Sequence, residues 1–227
     1  MTVTSPTETA PAAPSIENYH GLVRSDIFPY IPRTEGWLVD IGGGTGATAL
    51  AAKAQGLADK VAVLDQIDES HTTPGLDYYR KTDISSREAL AGCAEDLGGF
   101  DTVLALDVLE HLVDPWQTVA DIHSCMKPGG VFIASIPNVR EINASLPLLF
   151  GNKWEYKDAG ILDRTHLRFF VKSTAVELMV SSGLKLKEVI PAPFTARRFK
   201  LLRAATLGLF NSFLDRAYII VVEKADG

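Results

Sequence analysis

DIGGGTGATA (Asp40–Ala49) sets four glycines, Gly42, Gly43, Gly44 and Gly46, within five positions, directly after the apolar run WLV. Glycine loses more freedom on folding than any other residue, so such a cluster marks backbone that must turn sharply or lie close to a neighbour. Working outward, short β-branched runs recur at WLVDI (37–41), KVAVLD (60–65), DTVLAL (101–106) and VFIASI (131–136), with DYYRKTD (77–83) a weaker fifth. Between them, ATALAAKAQG, SSREALAGCAEDLG and PWQTVADIHSCM read as helices. Strands alternating with helices of about 10–15 residues specify βαβ units and a parallel sheet. Their continuous apolar character specifies helices on both faces. The glycine cluster therefore falls on the first crossover, at the carboxyl end of a strand, where open α/β sheets take up ligands.

The chain has 227 residues, 46% of them hydrophobic, which suits one domain around one core. A net charge of −6 gives no bulk attraction for nucleic acid. Cys93 and Cys125 lack any metal-binding spacing and read as inert helix residues in a reducing compartment. No apolar run reaches the ~18 residues of a membrane span. Residues 1–15 are rich in Thr, Pro and Ala and lack the charged start and apolar stretch of a signal peptide. They read as a disordered tail on a domain over 16–227, and the expected location is the cytoplasm.

Residues 16–31 read as a short helical lead-in stopped by Pro29 and Pro32, and MKPGG (126–130) as a tight turn into the fifth strand. After Pro137 the periodicity lapses. The stretch 139–170 carries Trp154, Tyr156 and many polar groups without a clean repeat, as expected of an acceptor-side insertion or lid. STAVELMVSSG follows as a helix with a capping box from Thr174 to Glu177 and a stop at Gly183. LKLKEVI and AYIIVVEK are two late strands, the second expected to pair antiparallel at or near the sheet edge. RRFKLLRAATLGLFNSF (197–213) holds four cations and no acid, with Phe199, Leu202, Ala205, Leu209 and Phe213 on one helical stripe. Such a stripe packs on its own domain or on a second copy in a homodimer, or it lies on an anionic membrane surface.

Two ligands suit the glycine loop. Gly42-x-Gly44-x-x-Ala47 with an acid about twenty residues on, Asp65, loosely meets the dinucleotide fingerprint. Gly42-x-Gly44-x-Gly46 instead suits an uncharged adenosine bearing a sulfonium tail. Three features favour the second. LDVLEHLVDP (106–115) brings acids directly after the fourth strand, MKPGG leads into the fifth, and Asp65, Asp83 and Asp107 close successive strands. Carboxylates there accept from a ribose diol and an exocyclic amine and pair with a cationic tail. The loop has no Lys or Arg, which argues against a P-loop.

At this point the chain resembles the class I S-adenosylmethionine-dependent methyltransferases. VDIGGGTG, VAVLDQID, FDTVLALDVLEHLVDP and MKPGGVFIASIPN fall in that family's order over about residues 37–138, and GILDRTHLRFF (160–170) is similar to a small bacterial branch associated with sugar, polysaccharide or natural-product modification. The resemblance implies a single Rossmann-like α/β sheet of seven strands in the order 3-2-1-4-5-7-6, with strand 7 antiparallel. It implies S-adenosyl-L-methionine as cofactor, with Asp40, Gly42, Gly44 and Gly46 shaping the methionine end. Asp65, with Gln66 beside it, takes the ribose hydroxyls. Asp83 and the Ile84 N–H meet the adenine, and Asp107 and Val108 flank the sulfonium and amino group. Asp83 has a competing use as a helix N-cap. Many members carry Cys or Ser where this chain has Gly43, which would loosen the loop.

Methyl transfer to a hydroxyl needs the acceptor positioned and its proton removed. Of five histidines, His166 is the expected base, oriented by Asp163, and His111 shares the Glu-His pair after the fourth strand. The competing reading makes Asp163, Arg164 and His166 a structural latch. His20, His71 and His123 read as surface or structural positions. Asn138, Trp154 and Tyr156 are candidate walls for a small-molecule or glycan-linked acceptor. Glu110, His111 and His166 are the one conceivable metal set, but no H-x-x-x-H-type spacing supports it, so no metal is expected. The sequence thus reads as a methyltransferase acting on oxygen, with nitrogen the less favoured alternative, ahead of a silent cofactor- or partner-binding module and of a nicotinamide oxidoreductase.

Overall fold

A computed structural model describes residues 21–193 and 210–226, with isolated positions in between. The tail over 1–15, His20, and most of the basic stretch 197–213 lie outside the described residues. One sheet contains seven strands: β1 (Thr34–Ile41), β2 (Ala58–Asp65), β3 (Tyr78–Lys81), β4 (Phe100–Leu106), β5 (Met126–Pro137), β6 (Lys185–Pro193) and β7 (Asp215–Glu223). Their order is β3-β2-β1-β4-β5-β7-β6. The first five pair in parallel, and β7 runs antiparallel to both β5 and β6. The expected topology is met. β7 lies inside the sheet, and β6 forms the edge.

The helices include α1 (Ala47–Ala54), α2 (Arg87–Leu97), α3 (Pro115–Cys125), α4 (Ile142–Gly151), α5 (Lys172–Val180) and α6 (Asn211–Leu214). Alternate residues of β1 go to opposite faces, as the two-residue strand period requires. Leu38 joins Val61, Val63, Leu104 and Ile133 in a core covered by Ala49 and Ala52 of α1 and by Ile27 and Phe28. Val39 and Ile41 join Leu64, Val103 and Phe132 in a second core, covered by Leu90 of α2, Ile122 of α3 and Leu178 of α5. Helix ends carry their own signals: the Ser86 side chain caps α2, and Asp114 caps α3, which starts at Pro115.

Several local expectations are corrected. Among described residues the lead-in is a 3-10 turn over Ser25–Tyr30 with Pro29 inside it, because short 3-10 pieces tolerate a residue lacking N–H. Met126–Gly130 continues the extended run of β5, with Gly129 at φ +72°. The stretch 139–170 contains α4, hidden from periodicity by its internal Pro147. α5 begins at Lys172, so Thr174 binds back to the Val171 N–H at 3.1 Å and no Thr174–Glu177 box exists. Gly183 ends that region at φ +98°, as expected. Both cysteines are buried thiols. Among described residues, no helix is long and apolar enough to cross a membrane.

Candidate active site

β1 neighbours β2 on one side and β4 on the other, so crossovers leave it in opposite directions and open a crevice beyond the strands' carboxyl ends. The glycine loop fills its floor. Gly42, Gly44 and Gly46 have φ of +70°, +55° and +80°, which L side chains rarely adopt. A Cβ on Gly42 would also lie 2.6 Å from Cγ2 of Val108. Gly43 serves differently: its φ is ordinary, but a Cβ would sit 2.6 Å from Cγ of Asp40. Its missing side chain makes room for that carboxyl rather than loosening the loop.

Asp40 is 2% exposed. Burial, then the charge of Asp65, pushes its carboxyl up to about 7 against the pull of Arg24. A carboxyl pKa raised by folding stabilises the fold below the unfolded value, near 4, and that contribution is lost as pH climbs to about 7. Asp40→Asn should therefore gain on the wild type between pH 5 and 8, by about 3 kcal/mol over that range. Denaturant melts at both pH values check this, and parallel curves would refute it.

Asp65, at the end of β2, accepts from the Gly44 N–H at 2.7 Å and the Ile67 N–H at 3.0 Å. It thus ties the loop to its own strand end. Gln66 follows, exposed. Asp83 is exposed beyond β3 and accepts from the Ser85 N–H at 2.9 Å. The cap of α2 belongs to Ser86, so Asp83 is not the N-cap. Ile84 is buried with its side chain in the core. Asp107, after β4, adopts φ +57°, an uncommon conformation for a residue other than glycine. It accepts from Ser135 Oγ at 2.8 Å and pairs with the guanidinium of Arg24.

Arg24 is a site residue that the sequence reading missed. Its N–H donates to Thr48 Oγ1 at 3.1 Å, and its guanidinium meets Asp26, Asp107 and Ser135. The lead-in therefore straps across the glycine loop and brings a cation beside an anion.

The second half of the site is assembled from distant sequence. The N–H groups of Leu167 and Arg168 donate to the Glu110 carbonyl at 2.9 and 3.0 Å. These bonds pin 160–170 onto the turn after Asp107. The rings of His111 and His166 meet edge to face with centroids 4.7 Å apart. Glu110, 1% exposed, faces His166 Nε2 across 3.9 Å, too far for a hydrogen bond. Burial, then the charge of Asp107, holds the Glu110 carboxyl well above the usual range. Burial, then His166, lowers His111. The sequence set this trio aside as ligands for want of local spacing, yet their ligand atoms lie within 4.8 Å of one another.

Asp163 does not orient His166. Its carboxylate accepts from the Thr165 N–H and hydroxyl at 2.8 and 2.7 Å. His166 Nδ1 instead meets the Ile161 carbonyl at 3.0 Å, which requires the N–H at Nδ1 and leaves the Nε2 lone pair free. Trp154, Tyr156 and Phe169 form an aromatic wall next to His166. Tyr156, Arg164, His166, Leu167 and Phe169 line an open hollow of about 410 Å³. Asn138 is no wall residue: buried, it donates to the Ser212 and Asp215 carbonyls at 2.8 Å and fastens β5 to β7. His71 ends a 3-10 turn and His123 lies in α3, away from this assembly.

The family model described as a methyltransferase domain matches residues 19–189, well over half of the chain. The chain belongs to this methyltransferase family. Among curated relatives, the ubiquinone biosynthesis O-methyltransferase of Azotobacter vinelandii is 29% identical over 72% of this chain and 72% of its own. That of Caulobacter vibrioides is 33% identical over 44% of this chain and 40% of its own. The crystal structure of a SAM-dependent methyltransferase from Archaeoglobus fulgidus aligns with TM-score 0.63 at 16% identity, covering 92% of this chain and 95% of that one. The methyltransferase uses S-adenosylmethionine, and its residues fit that group. The glycine loop offers bare backbone, Asp65 offers a carboxylate at the second strand end, and Arg24 beside Asp107 offers both charges that a zwitterionic amino-acid tail requires.

Proposed function

We propose that this methyltransferase transfers its methyl group to the hydroxyl oxygen of a ring-bearing acceptor, a small molecule or the ring of a glycan. The observation that carries the reading is the free Nε2 lone pair of His166, held by the Ile161 carbonyl beside the aromatic wall. S-adenosylmethionine supplies an activated methyl group and a thioether leaving group. With that cofactor bound, the acceptor oxygen would gain the methyl carbon as the carbon–sulfur bond breaks with its electron pair left on sulfur. The hydroxyl proton passes to His166 Nε2. Trp154, Tyr156 and Phe169 give a flat apolar ring something to pack against, as acceptor pockets commonly do. Arg24 and Asp107 hold the tail of the cofactor, Asp65 its ribose, Asp83 and Ile84 its adenine. The relatives named as O-methyltransferases of ubiquinone biosynthesis favour oxygen over nitrogen.

Incubation of the purified protein with S-adenosylmethionine and two acceptor panels, catechol-type phenols and nucleotide sugars, tests this by mass spectrometry. A methyl ether in one panel, with matching S-adenosylhomocysteine, is the expected result. Methylamine products alone, or cofactor binding without turnover on either panel, would overturn it.

A further inference from the structure

We propose that Glu110, His111 and His166 form a binding site for one divalent cation of the zinc, cobalt or manganese type. The ligand set is two imidazole nitrogens and one carboxylate, a combination that holds such ions on one face and leaves the other positions open. Three observations support it. The ligand atoms of the three residues lie within 4.8 Å of one another, although His166 is 55 positions beyond His111 in the chain. Both carboxylate oxygens of Glu110 are buried without a hydrogen-bond partner, an expensive arrangement that a bound ion would relieve. The 3.9 Å between Glu110 Oε1 and His166 Nε2 suits an ion with bonds of about 2.0–2.2 Å, bent at the metal.

The surroundings also have the form of a metal site. His111 Nδ1 lies 3.2 Å from the Thr165 carbonyl and 3.1 Å from its hydroxyl, and that hydroxyl gives its own proton to Asp163. Nδ1 is therefore the donor, and Nε2 carries the lone pair. His166 is arranged in the same way by the Ile161 carbonyl. Backbone acceptors of this kind fix the tautomer and aim of metal-binding histidines. His166 also lines the open hollow, so the free positions of the ion face the acceptor side.

The inference rests on the methyl-transfer reading and deepens it. With the cation bound, Nε2 would ligate it, and the ion would make the acceptor hydroxyl acidic, as bound divalent ions do. That proton would leave to solvent water, so His166 would act through the ion in place of accepting the proton itself. Tag-free protein, saturated with S-adenosylhomocysteine, is dialysed against Zn²⁺ or Co²⁺ and its metal content measured. One equivalent per chain is expected, with visible ligand-field absorption for Co²⁺. Glu110→Gln and His166→Ala should each weaken retention by about a hundredfold while still binding S-adenosylhomocysteine, which separates lost ligands from lost fold. Chelation should abolish turnover and Zn²⁺ or Co²⁺ should restore it. Substoichiometric metal in the wild type, or equal retention by the folded variants, would overturn the site and leave His166 as an unaided base. Metal retention without any S-adenosylhomocysteine binding would support the site and remove the methyl-transfer reading instead.

Discussion

Alanine at position 166 should lower kcat by about two decades or more while leaving the Kd for S-adenosylhomocysteine within about threefold, given what positioned acid–base groups contribute. The split follows from where His166 sits. It is 8% exposed, packed edge-on to His111 and bound through Nδ1 to the Ile161 carbonyl, none of which belongs to the glycine loop. Removing the ring deletes Nε2, the proposed proton acceptor or ligand of an acidifying ion, and leaves the glycine loop intact. Asp163→Ala sharpens the comparison. Among the described residues its carboxylate hydrogen-bonds to Thr165 alone, so its loss should cost much less than the loss of the imidazole. Equal falls in the two variants would favour a structural latch, and wild-type turnover in His166→Ala would end its catalytic role.

The second large effect is on binding. Asp65→Ala should raise the Kd for S-adenosylhomocysteine by about two decades, since hydrogen bonds to a charged group are worth about 1.5–3 kcal/mol each. Two contributions combine. On the proposed reading the ribose hydroxyls would lose their carboxylate, and the N–H groups of Gly44 and Ile67 lose the acceptor that sets the loop. Asp65→Asn should fall between alanine and wild type, because one amide oxygen accepts where two carboxylate oxygens did. Calorimetric titration of the three proteins checks the order. A Kd unchanged in the alanine variant would place the ribose elsewhere.

The sheet was readable from sequence because parallel strands buried on both faces are continuous apolar runs, and a glycine cluster with acids at successive strand ends marks their carboxyl edge. Asp65, Asp83 and Asp107 were singled out on that logic, and they do stand at or just beyond the ends of β2, β3 and β4. Arg24 was not, since its partners Asp107 and Ser135 lie 83 and 111 positions away and nothing local distinguishes it. The convergence of Glu110, His111 and His166 was hidden for the same reason: backbone bonds from Leu167 and Arg168 to the Glu110 carbonyl create it, and such bonds leave no trace in side-chain spacing. Pro147 concealed α4, and the start of α5 was misplaced because Thr174 satisfies a donor from inside the helix rather than from its cap.

β7 comes last of the seven strands in sequence yet is sandwiched between β5 and β6. While the ribosome is still making residues 215–223, the outer rim of β5 carries unpaired N–H and C=O groups, and Phe132, Ile133 and Ala134 lack their final neighbours. Late closure by a distant segment slows folding and prolongs exposure of a sticky edge. The nascent enzyme is therefore most vulnerable to strand addition by other chains just before synthesis reaches Ile219–Val222, the same residues that afterwards lock the sheet.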